Sequence, residues 1–126
     1  MYEIKVMHRD LKLDNILIHF PGYDEPTTEE LLNMDLENEP FVVKLADLGY
    51  AREMTSKEDG RIKTFKGSPL MMAPEVFDRY WGNGEGYSHK IDVWAMGVLF
   101  YLMLTGMYMF SAENKGKRSA TMEALH

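Results

Sequence analysis

The sequence predicts an α+β fold, and three stretches carry that expectation. "ILI" at residues 16–18 is a short apolar run after a polar loop and reads as a buried strand. "FVVK", residues 41–44, whose Lys44 precedes Asp47 by three, reads as a later strand. Ile91 to Leu104 is apolar almost all round, which means a buried helix or a membrane span. The stretch is shorter than the roughly 20 residues a bilayer requires and carries Asp92 near its start, so burial is the expectation.

The general bounds are compatible with one small domain. The chain has 126 residues, 45% of them apolar, with no internal repeat and no low-complexity tract. It has no cysteine, which excludes a disulfide framework and a thiolate metal site. No signal-peptide or lipidation pattern opens it, so an intracellular, cytoplasmic setting is expected, with a nuclear one left open and no membrane partner. A formal charge of −6 argues against a nucleic-acid surface.

The first element is "MHRDLKLDN", residues 7–15, where a histidine, cations, aspartates and an asparagine crowd together. It is either a solvated turn or a site that handles phosphate, metal and protons together. Asp10, Lys12 and Asn15 stand at intervals of two and three, ahead of the strand that would brace them. That spacing resembles the catalytic loop of protein kinases: HRD, leucine, three variable residues and asparagine. The resemblance implies that Asp10 accepts the proton of a substrate hydroxyl and that Asn15 helps hold Mg2+. Lys12 resembles the lysine characteristic of serine/threonine kinases, a compact cation beside the phosphoryl group in flight.

Partner motifs follow in the family's order. Asp47, Leu48 and Gly49 resemble the metal-binding DFG element with leucine in place of phenylalanine, and they imply Mg2+ and ATP as cofactors. Leu48 is expected to pack. Ala73, Pro74 and Glu75 resemble the end of an activation segment, and "DVWAMG", residues 92–97, with Trp94 and Gly97, resembles the start of the long central helix. The resemblance covers about residues 5–110. It implies a partial C-terminal lobe, with a small antiparallel sheet and a central buried helix. The expected divisions are a catalytic loop at 8–15, an acidic insertion at 21–40, an activation segment at 47–75 and a central helix at about 88–105.

The insertion "PGYDEPTTEELLNMDLENEP" carries Asp24, Glu25, Glu29, Glu30, Asp35, Glu37 and Glu39 and no cation. Without those charges the chain would carry about +1. Pro21 and Pro40 bound it, and Thr27 with Glu30 predicts a capping box for a short helix through "EELLNM". It is either a solvated surface excursion or a docking site for a basic partner.

For the central helix, Ser88 is a plausible N-cap and Gly106 a plausible end. The resemblance implies that Asp92 accepts hydrogen bonds from the backbone around His8 and Arg9, bracing the loop; otherwise it is an exposed first-turn acid. Leu99 and Met103, expected to face inward, resemble the base of a column that continues through Leu17 to the adenine ring, and ordinary core explains them equally well.

Between Asp47 and Glu75 the hydroxyl candidates are Thr55, Ser56, Thr64 and Ser68. Thr64 matches the family's phosphorylation position, with Arg9 and Arg52 as the receiving cations; otherwise these hydroxyls are unmodified loop residues and Arg52 is solvated. Ser68 resembles the hydroxyl that bonds Asp10 and Lys12. Phe65, Pro69 and Met72 resemble the pocket for the residue after the phosphorylated one, and Leu102 replaces a glutamate common in arginine-directed kinases. The 11 methionines, Met71, Met72, Met96 and Met103 among them, are expected to fill core and pocket gaps.

The family's glycine-rich loop, strand lysine and helix glutamate belong upstream of the catalytic loop. "GNGEGY" and Lys44 lie in the wrong places to replace them, and Arg118 is too near Glu75 to be its expected arginine partner. The resemblance therefore implies a serine/threonine protein kinase acting on protein hydroxyls, in which this stretch alone is inactive and marginally stable. The other class is a non-catalytic binding module whose insertion recruits a partner.

Overall fold

The computed structural model describes residues 5–54, 62–80, 82 and 86–110, the side chains of residues 79 and 80 excepted. Thr55, Ser56, Gly84 and Arg118 lie outside the described residues. In chain order the elements are β1 (Val6–Met7), β2 (Ile16–His19), α1 (Thr28–Asn33), β3 (Val42–Leu45), β4 (Arg52–Glu53), α2 (Pro74–Tyr80) and α3 (Lys90–Thr105). Single 3-10 turns occupy Leu13–Asn15, Leu48–Tyr50 and Pro69–Met71. The chain divides into two compact units, Asp14–Ala46 and the residues on either side of it.

In the unit Asp14–Ala46, β2 and β3 pair antiparallel from Ile16↔Leu45 to His19↔Val42. Their β-branched and leucine side chains suit a pleated ribbon. The ribbon is less buried than expected: Leu17 is 51% exposed and Ile18 58%. A lone two-stranded ribbon has two faces and little of its own to cover them. Phe20 is buried, with the rings of Tyr23 and Phe41 edge-on to it at 6.4 and 6.3 Å. The expected capping box is present. The Thr27 hydroxyl accepts the Glu30 N–H at 3.3 Å while the Glu30 carboxylate accepts the Thr27 N–H at 2.8 Å. The Thr27 N–H, and after it the Thr27 hydroxyl that donates to Glu30 Oε2 at 2.8 Å, hold the Glu30 carboxyl below its ordinary value. The helix stops at Asn33, one residue earlier than predicted, because Met34 is extended.

In the other unit β1 and β4 pair antiparallel through Val6↔Glu53 and Met7↔Arg52. One core cluster gathers Met7, Ile62, Met72, Ala73, Val76, Phe77, Tyr87 and Ile91. A second gathers Leu11, Met71, Ala95, Val98 and Leu102. Helix α3 supplies Ile91, Ala95, Val98 and Leu102, a stripe at helical spacing, and Leu99 is buried as well.

The expectation of a fully buried central helix requires correction. Val93, Met96, Phe100, Met103 and Leu104 are exposed. Met103 therefore does not face inward, and Met96 and Met103 fill no core gap, whereas Met71 and Met72 do. The helix begins two residues later than predicted. His89 holds the N-cap position, and Ser88 only accepts the Lys90 N–H at 3.4 Å. At the other end Gly106, with φ +70°, closes the helix by donating to the Leu102 carbonyl at 2.8 Å. No helix among the described residues is long and apolar enough to cross a membrane.

Candidate active site

Strand β1 leads into the loop that carries His8, Arg9 and Asp10. The His8 N–H donates to Asp92 Oδ2 at 2.7 Å and the Arg9 N–H to Asp92 Oδ1 at 2.9 Å. Asp92 lies in the first turn of α3, so a carboxylate on a packed helix fixes two consecutive peptide units of the loop. Arg9 takes a left-handed conformation, φ +67°, which a side chain of its type adopts only where the surroundings hold it. His8 is fully buried, and its Nδ1 accepts the Asp10 N–H at 3.3 Å.

This bracing presents the Asp10 side chain, itself 5% exposed. Its Oδ1 accepts the Ser68 hydroxyl at 2.8 Å and its Oδ2 lies 3.3 Å from Lys12 Nζ. Beside it is a cavity of about 20 Å³, the size of one water, lined by Asp10, Lys66, Ser68, Met72 and Ala95 among others. The approach of Ser68 depends on Gly67. Gly67 has φ +115°, and a Cβ there would lie 2.5 Å from the Arg9 carbonyl oxygen. Only glycine allows the two backbones to come so close.

The Arg9 side chain turns to the other face of the loop. Its Nε donates to the Tyr50 carbonyl at 2.6 Å and its Nη1 to Thr64 Oγ1 at 2.8 Å. Lys66 sits 5.2 Å from the Tyr50 ring centroid, a cation–π pairing. Arg52 is half-buried on β4. Asp47 is exposed and left-handed, φ +57°, with Oδ1 accepting the Gly49 N–H at 3.1 Å. Leu48 does not pack as expected: it is 60% exposed, and neither core cluster of the described residues includes it.

The protein kinase domain family matches residues 1–125 of the chain. The chain belongs to the protein kinase family. It is 36% identical over 114 residues to the serine/threonine-protein kinase zyg-8 of Caenorhabditis elegans, which covers 90% of this chain and 12% of that protein. It is 33% identical over 111 residues to the DNA damage response protein kinase DUN1 of Saccharomyces cerevisiae, 88% of this chain and 20% of that one. It is 37% identical over 112 residues to the serine/threonine-protein kinase ATG1 of Kluyveromyces lactis, 86% and 12%. The chain thus spans 12–20% of the length of these kinases.

Other positions of this kinase chain were singled out in the sequence. Asn15 and Leu17 belong to the unit Asp14–Ala46, Asn15 with a buried side chain and Leu17 exposed on β2. Met72 lines the cavity and sits in the core, whereas Phe65 tilts onto Phe77 at 5.9 Å and Pro69 stands exposed at the head of its turn. Leu102 is core. Glu75 is half-buried in the first turn of α2. Trp94 stacks on Phe110 at 5.3 Å, and Gly97 is exposed with open space where a Cβ would stand.

The donor types fit a hard cation. Taken separately, the carboxylate of Asp47, whose Oδ1 accepts the Gly49 N–H, and the amide of Asn15 are oxygen donors of the kind magnesium takes, few of them from protein. Among the described residues no three His, Cys, Asp or Glu side chains form a metal-binding group, so a cage built wholly of acidic protein ligands is not on offer there.

Sequence reasoning missed three residues of this site. Gly67 was legible in principle, since a glycine close to two hydroxyl positions invites a conformational reason. Tyr50 acts through its carbonyl, which leaves no mark on residue type. Tyr87 is core and is also a hydrogen-bond donor to the Thr64 carbonyl, a second role that its residue type does not announce.

Proposed function

We propose that the protein carrying this chain is a serine/threonine protein kinase that moves the γ-phosphoryl group of ATP to a protein hydroxyl. The observation that carries the reading is the Asp10 carboxylate, held between the Ser68 hydroxyl and Lys12 Nζ on a loop that Asp92 fixes. In the reaction the substrate oxygen forms the new P–O bond, the bond from the γ-phosphorus to the bridging oxygen of ADP breaks, and the hydroxyl proton passes to Asp10. Lys12 stabilises charge on the transferring group. Asn15 and Asp47 would hold magnesium, which neutralises phosphate charge when bound. Leu17 would face the adenine ring, and Phe65, Pro69 and Met72 the residue after the acceptor. Thr64 is the proposed switch, a phosphate there being received by Arg9 and Arg52. The expected setting is intracellular.

The test is to incubate ATP and a mixed Ser/Thr/Tyr peptide library with the intact protein and with this chain alone, and to identify the phosphorylated residues by mass spectrometry. Phosphoserine or phosphothreonine from the intact protein, with none from the chain alone, is the expected result. Tyrosine products, or no transfer by the intact protein, would overturn the assignment.

The acidic insertion supports one addition, a basic partner. Leu32 is 81% exposed and Leu36 59% amid seven acids without a cation, a surface that suits a segment mixing lysine or arginine with apolar residues. Charge reversal of Glu29, Asp35 and Glu37 is expected to abolish such binding and leave phosphoryl transfer to a short peptide intact. A partner retained after reversal would refute it.

A further inference from the structure

Tyr87 lies just ahead of α3 with its ring 2% exposed, in the cluster with Met7, Ile62 and Phe77. A phenol that deep requires a partner for its hydroxyl. It donates to the Thr64 carbonyl oxygen at 2.5 Å. The Tyr87 N–H donates to the Ile62 carbonyl at 3.2 Å, an antiparallel bridge between these residues. One side-chain bond and one main-chain bond thus tie residues 62–64 to the base of α3.

The direction of the hydrogen bonds follows from counting protons. A phenol has one to give, and here it goes to the carbonyl. In the longer approach of Thr64 Oγ1 to Tyr87 Oη, 3.3 Å, the threonine hydroxyl is therefore the donor. Thr64 Oγ1 in turn accepts from Arg9 Nη1. The chain runs from Arg9 to the Thr64 hydroxyl, to the Tyr87 hydroxyl, and back to the Thr64 carbonyl. A phosphoryl group on Oγ1 would replace the threonine proton and remove the middle link. It would alter neither the Tyr87 bond to the carbonyl nor the 62–87 bridge.

We propose that Tyr87 is a positioning residue that holds the main chain of the Thr64 segment beside Arg9 whether or not Thr64 is modified. Arg9 grips the side chain of Thr64, so its contact changes with modification; Tyr87 grips the carbonyl, so its contact does not. Thr64, an exposed residue, is then presented in register before any phosphate arrives. The catalytic consequence, though not the latch itself, rests on the kinase reading above.

The test is hydrogen exchange followed by mass spectrometry on the intact protein. Tyr87→Phe keeps the ring and removes the phenol proton donor. Exchange at residues 62–68 is expected to rise about tenfold while α3 keeps its protection. Tyr87→4-aminophenylalanine, which restores a donor, is expected to restore protection. Thr64→Val removes Oγ1 and keeps the carbonyl, so Tyr87→Phe should act by the same factor in that background. Unchanged exchange after Tyr87→Phe would overturn the proposal, as would equal loss in α3, failure of the amino variant to rescue, or an effect that vanishes with Thr64→Val. Exchange is read without turnover. If it responds as expected while the unmutated protein transfers no phosphate, the latch stands and the kinase reading falls.

Discussion

A carboxylate that accepts two adjacent backbone N–H groups, as Asp92 does from His8 and Arg9, fixes two peptide planes at once. Removing it strands both donors in a part-buried place. Asp92→Ala is therefore expected to destabilise the fold by about 3 kcal/mol, measured by denaturant unfolding of the intact protein, with greater proteolytic sensitivity in the loop. A change under about 0.5 kcal/mol would mean that the loop holds itself. Gly67 is a second sensitive residue. With φ +115° and the Arg9 carbonyl oxygen 2.5 Å from where a methyl group would stand, Gly67→Ala must shift backbone. A loss of roughly 2–4 kcal/mol is expected by the same measurement, and a variant as stable as the parent would contradict the close approach.

At the scale of elements, α1 depends on its cap. The Glu30 carboxyl is held low first by the Thr27 backbone N–H and then by the Thr27 hydroxyl. A carboxyl depressed in the folded state contributes stability that is fully present above its unfolded value, 4.5 here, and is lost as pH falls through the folded value. Exchange protection in α1 is thus expected to be steady at neutral pH and to decline below about pH 4.5, and Thr27→Ala is expected to weaken that pH dependence. Protection that rises on acidification would reverse the sign of the account. The capping box was legible in the sequence because it is local: two residue types three apart determine it. The burial of α3 was not. Val93, Met96 and Phe100 are as apolar as Ile91, Ala95 and Val98, and only the neighbours decide which stripe is covered. The bond from Asp92 to the loop, 83 and 84 residues away, was accessible only through the family resemblance.

For the whole molecule, the exposed side of α3 and the turn after it, with Leu104 85%, Met107 58% and Tyr108 41% exposed, make a broad apolar surface. This chain by itself is expected to self-associate and to unfold without a sharp cooperative transition; a reversible, cooperative melt as a monomer would refute that. The order of the motifs along the chain was legible because each is a short local pattern. The links between them were less so, since Tyr50 and Tyr87 act on Arg9 and Thr64 through main-chain and buried phenol contacts that residue types alone do not specify. The central claim is that Asp10, buried and shared between Ser68 and Lys12, takes the proton of the accepting hydroxyl. Its most direct test is the single-turnover rate of phosphoryl transfer by the intact protein with and without Asp10→Asn. A fall of about 10²–10⁴-fold with ATP affinity unchanged is the predicted result, and a rate within about threefold of the parent would contradict it.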